Sequence, residues 1–132
     1  MSAAARSRWL LLDKSAIVRA DVLPEGSALG EPCLCAITRL ELLYSARSRA
    51  DYARIEQELA AFHELRIDAE TIATAIAAHR ELAQRGRHRL PLPDLLIASC
   101  AQQHQAGVLH VDRHFDVLAE VLAFEAVRAS VD

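Results

Sequence analysis

Trp9-Leu10-Leu11-Leu12-Asp13-Lys14-Ser15-Ala16 runs four bulky apolar residues straight into a carboxylate. An uninterrupted apolar run of this length reads as a buried strand, spanning residues 8–13, with a short helix or turn from Ser15 to Ala20 after it. A lone buried carboxylate is costly to desolvate. Asp13 therefore needs a capping role or company.

The same alternation continues outward from this stretch. Cys33 to Ile37, Leu65 to Ile67, Val108 to Val111 and Ala126 to Arg128 read as further short strands. Thr38 opens a helix through Leu40, Leu43 and Tyr44, while Tyr52, Ile55, Leu59 and Phe62 recur at helical spacing. Asp68 is a candidate cap for a helix whose apolar stripe is Ile72, Ile76, His79 and Ala83, ended by Gly86. On that stripe His79 is a core or boundary histidine rather than a ligand. Pro91 and Pro93 bracket the start, at Asp94, of a helix apolar nearly all round, and Phe115 to about Leu122 forms the last helix. Pro24 to Pro32 is the most loop-like segment. Strands alternating with helices indicate an α/β domain with a mainly parallel sheet, and residues 1–132 are expected to form a single domain.

Composition narrows the class. The chain has 132 residues, 52% of them hydrophobic and 25% charged, which excludes disorder. A net charge of −3 gives the molecule no general attraction for nucleic acid. Lys14 is the only lysine, so nearly all positive charge is arginine, which favours bidentate contact with phosphate but also follows from GC-rich coding. Cys33, Cys35 and Cys100 match neither a zinc nor a disulfide spacing, and Cys100 reads as a small core residue. The run WLLL is too short for a secretory apolar region, and nothing approaches the ~20 apolar residues of a membrane span. A cytoplasmic location with reduced thiols and no membrane contact is the expectation.

Ligands in open parallel sheets gather beyond the carboxyl ends of the strands. Two strands run directly into acids, at Asp13 and Asp112, and parallel strands put both on one edge. Asp94 opens a buried helix and Glu41 lies early in another. Each acid also has a purely local reading. Thr38 and Glu41 match a capping box, and Asp13, Asp94 and Asp112 each precede or open a helix. Together, though, four carboxylates in one crevice would raise one another's pKa, and a divalent cation such as Mg²⁺ or Mn²⁺ removes that conflict. His110, Asp112 and His114 form a competing set that would suit zinc if all three shared one strand face, but His114 reads as already past the strand. Serine chemistry is disfavoured because no G-x-S-x-G elbow is present and Ser15 has no evident base.

Taken in order, LLLDKSA, TRLELL, LPLPDLLIASCA and VLHVDRHFD resemble the PIN domain, particularly the VapC toxins of bacterial toxin–antitoxin pairs. The resemblance covers essentially the whole chain. It implies a three-layer α/β/α fold in which Asp13, Glu41, Asp94 and Asp112 are both catalytic and metal ligands, with Ser15 as a supporting polar group. It further implies Mg²⁺ (or Mn²⁺) as cofactor, and hydrolysis of RNA phosphodiester bonds by metal-activated water. A homodimer and a cognate VapB-type antitoxin covering the active-site region are also implied. The family often has a second Asp where this chain has His114, while Asp116 is expected to cap or face solvent. Arg85, Arg87 and Arg89, with Arg47, Arg49 and Arg113, are candidates to hold RNA phosphates. The Tyr52/Ile55/Leu59/Phe62 face is a candidate partner surface, with core packing the stronger reading. Alternatives are a PIN-type RNA-processing nuclease that is not a toxin, a PIN-like domain that only binds partners, and a receiver-like α/β signalling module. The last wants an acidic pair after the first strand and a late lysine, and a haloacid-dehalogenase-type phosphatase wants D-x-D. Asp13-Lys14-Ser15 supplies neither pattern.

Overall fold

The computed structural model describes residues 8–19 and 30–129. Its strands are β1 (Trp9–Leu12), β2 (Glu31–Leu34), β3 (His63–Glu64), β4 (Gly107–His110) and β5 (Glu125–Arg128). They form one sheet in the order β3-β2-β1-β4-β5, and every neighbouring pair is parallel. The helices are α1 (Lys14–Arg19), α2 (Ala36–Tyr44), α3 (Arg49–Leu59), α4 (Ala69–Gln84), α5 (Leu92–His104) and α6 (His114–Leu118). The parallel α/β expectation holds.

β1 is central, so both of its faces need apolar cover. Leu11 packs with Ala75, Ala78, Leu82, Ile97, Ala98 and Phe115 of α4, α5 and α6. Leu10 and Leu12 point the other way, against Leu42, Leu43 and Leu59 of α2 and α3. Period-two alternation along one strand thus separates two cores, giving the three layers. The Tyr52 stripe is largely core: Leu59 is buried, and Ile55 and Phe62 pack against the second cluster. None of the helices among the described residues is long and apolar enough to cross a membrane.

Several expected boundaries move. β2 begins at Glu31, inside the segment read as loop, and ends at Leu34 rather than Ile37. Pro32 is tolerated there because Glu31 N donates towards β1, to Arg8 O, which turns the next nitrogen to the other side. On that side β3 pairs only with Cys33 and Leu34, so the missing N–H forfeits no ladder bond. β3 is His63–Glu64 rather than Leu65–Ile67; Leu65 N still reaches Leu34 O at 2.8 Å, but Asp68 then starts α4. The last helix stops at Leu118, short of Leu122.

The buried face of α4 is also rotated by one residue from the expected stripe. Thr71, Ala75, Ala78 and Leu82 face inward, whereas Ile72 and Ile76 are 43% and 57% exposed. Small side chains let α4 approach α5 closely, so size outweighs hydropathy in choosing the face. Its ends follow the sequence. Asp68 and Thr71 form a reciprocal capping box, and Gly86, at φ 71°, closes a Schellman turn through Arg87 N to Leu82 O.

Candidate active site at the carboxyl edge of the sheet

Asp13 leaves β1 and is only 4% exposed. Its Oδ2 accepts from Ser15 N at 2.9 Å and from Ser15 Oγ at 2.5 Å. Ser15 Oγ in turn accepts from Val111 N at 3.0 Å, across the sheet edge beyond β4. One hydroxyl therefore fixes the carboxylate to the neighbouring strand's continuation. Asp13 N also donates to Leu109 O at 3.0 Å. These bonds give Asp13 a local capping role and hold it at the edge.

Glu41 is not part of a capping box. α2 starts at Ala36 after Cys35, which makes no side-chain cap, so Thr38 sits inside the helix. The Thr38 hydroxyl, fully buried, donates instead to Leu12 O at 2.9 Å. This bond ties α2 to the last residue of β1, one turn before Glu41. Glu41 is half-buried, and its carboxyl is raised by burial and by the field of Asp13, with Lys14 opposing.

Asp94 also falls within its helix rather than at the cap. Pro91 is the N-cap of α5, and Asp94 lies in the first turn, 8% exposed. Its carboxyl is pushed up to about 7, first by burial and then by Asp13, with Asp112 adding to the rise and His114 opposing it. Asp112 follows β4 by two residues and accepts from His114 N at 3.0 Å, which starts α6. Neither Asp13, Glu41 nor Asp94 has an arginine or lysine ion pair among the described residues.

The sequence offers His114 only as part of a zinc set with His110, or as a stand-in for the family's second Asp; the structure brings it to Asp94 as well as Asp112. His114 Nδ1 lies 3.1 Å from Asp94 Oδ2 and 3.0 Å from Asp112 Oδ1. Donor atoms of Asp94, Asp112 and His114 all lie within 4.8 Å of one another; Asp13 and Glu41 fall outside that close set, and the charge of Asp13 bears on both Asp94 and Glu41. The expected alternative of zinc on His110, Asp112 and His114 fails. His110 is fully buried with its ring 5.2 Å from Phe115, on the core side of β4. Asp116 is exposed and pairs with Arg128 at 3.3 Å.

The arginines divide into two groups. Arg85 pairs with Glu81 at 2.9 Å, and both Arg85 and Arg87 lie 3.8 Å from Glu120. Arg47, Arg49, Arg89 and Arg113 are exposed, with no ion pair among the described residues.

Residues 10–121 match the family model of the PIN domain. The chain is 44% identical over 118 residues to Ribonuclease VapC17 of Mycobacterium tuberculosis, covering 86% of this chain and 88% of that one. Ribonuclease VapC51 of the same organism is 37% identical over 118 residues, covering 84% and 85%. Among solved structures, VapBC-5 from Mycobacterium tuberculosis, a member of the VapBC family of toxin–antitoxin systems, gives a TM-score of 0.71 at 23% identity, covering 92% of this chain and 98% of that one. VapBC2 from Rickettsia felis, solved bound to a DNA fragment from its promoter, gives 0.73 at 17% identity, covering 92% and 99%. None of these favours a receiver-like module. The fold, the family match and the two close relatives agree: the chain belongs to the PIN-domain family, and within it to the VapC ribonucleases.

Proposed function

We propose that this protein is the toxin of a type II toxin–antitoxin pair, a divalent-metal-dependent endoribonuclease held in check by a VapB-type antitoxin. The observation that carries the reading is the group of carboxyls at one sheet edge, where burial and then Asp13 raise both Glu41 and Asp94 and, among the described residues, no lysine or arginine forms an ion pair with them. Uncompensated acids of this kind fit a hard divalent cation, and Asp13, Glu41, Asp94 and Asp112 are the residues that would hold Mg²⁺ or Mn²⁺. When bound, such an ion supplies Lewis-acid activation of water for hydrolysis of a phosphodiester.

The chain's own groups do the positioning. Ser15 clamps Asp13 to the β4 side, and the Thr38 bond to Leu12 O fixes the turn of α2 that carries Glu41. An acidic crevice repels RNA, so phosphates flanking the cut need cations. Arg113, Arg89, Arg47 and Arg49, exposed and without an ion pair among the described residues, are candidates to supply them. Homodimer formation and a cytoplasmic location belong to the same reading.

The test is cleavage of RNA by wild type, Asp13→Asn and Asp94→Asn, each with Mg²⁺, Mn²⁺ or EDTA. Cleavage by wild type alone, and only with metal, is expected. Cleavage that persists in EDTA or in both variants overturns the mechanism. Expression in a bacterial host should arrest growth, relieved by the VapB-type protein encoded beside it; RNA cleavage without arrest would indicate RNA processing instead.

A further inference from the structure

His114 Nδ1 meets two carboxylate oxygens at once, Asp94 Oδ2 at 3.1 Å and Asp112 Oδ1 at 3.0 Å. A ring nitrogen carries at most one hydrogen, and only the Asp94 contact has hydrogen-bond geometry. The ring therefore holds the second oxygen at hydrogen-bond distance without donating to it. That oxygen is also held in place from behind, because Asp112 Oδ1 accepts from His114 N. Backbone and ring of one residue thus converge on one carboxylate.

Resting on the metal-dependent reading above, we propose that His114 is itself a metal ligand through Nδ1, beside Asp94 and Asp112, and that this nitrogen makes the site prefer Mn²⁺ to Mg²⁺. Neighbouring ligands around an octahedral ion with bonds of about 2.1 Å stand about 3 Å apart, which is the spacing of Nδ1 from each of the two oxygens. With its proton on Nε2, the neutral imidazole turns the Nδ1 lone pair into the space it now shares with both oxygens. A single cation there satisfies all three atoms, whereas a single N–H satisfies one acceptor. Mg²⁺ is hard, keeps its waters and selects oxygen, while an imidazole nitrogen favours transition ions. The carboxylates alone discriminate little between the two; the nitrogen adds the bias.

The experiment is electron spin-echo modulation of the full chain loaded with one Mn²⁺, paired with competition between Mn²⁺ and Mg²⁺. Wild type should show ¹⁴N modulation that changes on ¹⁵N-histidine labelling. In His114→Asp and in His114→Gln the modulation should vanish while Mn²⁺ stays bound. The affinity ratio of Mn²⁺ to Mg²⁺ should fall roughly tenfold in His114→Asp. Bound Mn²⁺ without nitrogen coupling in wild type overturns the proposal and leaves the carboxylate site intact, and so does coupling that survives both substitutions. Absence of Mn²⁺ binding in wild type, or binding undiminished in Asp94→Asn, overturns the carboxylate reading together with it. Should His114→Asp fail to fold, His114→Gln and the labelled wild type still decide the ligand.

Discussion

Ser15→Ala isolates the bond on which the geometry of Asp13 depends. The hydroxyl donates to Asp13 Oδ2 at 2.5 Å and accepts from Val111 N at 3.0 Å. Removing it strips a hydrogen bond from a charged acceptor that is 4% exposed, where such bonds contribute about 1.5–3 kcal/mol. It also leaves the Val111 N–H without its partner, at a residue 9% exposed, which costs about 1–3 kcal/mol less whatever water recovers. Asp13 keeps the Ser15 backbone N–H at 2.9 Å, so the carboxylate is loosened rather than released. A loss of about 2–4 kcal/mol in urea unfolding, measured in EDTA near neutral pH, is the expected outcome. Metal affinity, read by calorimetric titration, should fall about 10- to 100-fold, the usual effect of losing a group that orients a ligand. Ser15→Thr, which keeps the hydroxyl, should recover most of both. The double variant with Asp13→Ala tests the route: if Ser15 acts through Asp13, the two losses fall short of additive by about 1 kcal/mol or more. A stability loss under about 0.5 kcal/mol, or strict additivity in the cycle, would refute the clamp.

Thr38→Val keeps shape but leaves Leu12 O without its buried donor, so equilibrium unfolding should show a loss of about 1–2 kcal/mol, with RNA cleavage reduced more than in a control of equal stability. His110 is fully buried and neither ring nitrogen makes a hydrogen bond among the described residues, Nε2 lying 3.8 Å from Asp116 Oδ1, so His110→Leu should stabilise the fold by about 1 kcal/mol in urea; destabilisation would mean that the imidazole is satisfied in solution. Asp68 is held down to about 2, first by Gln103 and Arg66, so its contribution to stability is complete above the ordinary value of 3.8 and is lost as pH falls towards 2. Acid unfolding of Asp68→Asn should accordingly begin at higher pH than that of wild type, and coincident curves would sink the assignment.

The layering was readable because β1 announces itself: four apolar residues in a row belong only between two cores. What escaped were choices made by neighbours. Local chemistry reads Pro32 as loop, yet β2 includes it because β3 is too short to need its N–H. Hydropathy assigns Ile72 and Ile76 to the core, yet α4 buries Ala75 and Ala78 because α5 sits close enough to exclude larger side chains. Both errors have one source. A single-chain pattern ranks side chains by water transfer, while packing ranks them by the space a partner leaves.

At the candidate site the competing local and functional readings part company residue by residue. Asp13 and Asp112 do accept backbone N–H groups two residues on, as a helix start would require. Glu41 and Asp94 do not cap anything, since α2 begins at Ala36 and α5 at Leu92. An acid without a capping task, half-buried or more, with its titration raised by another acid, is a net liability to the metal-free fold. Folding alone gives no reason for Glu41, and the His114 contact and first-turn position of Asp94 do not offset its raised titration. Capping and ligation, for their part, do not compete at Asp13 and Asp112. The N–H groups that start α1 and α6 hold each carboxylate at the sheet edge, and Asp112 Oδ1, so held, still lies 3.0 Å from His114 Nδ1. The sequence signal for a helix cap was therefore correct at two positions and empty at the other two, and it is at the empty ones that the physical case for a bound cation is strongest.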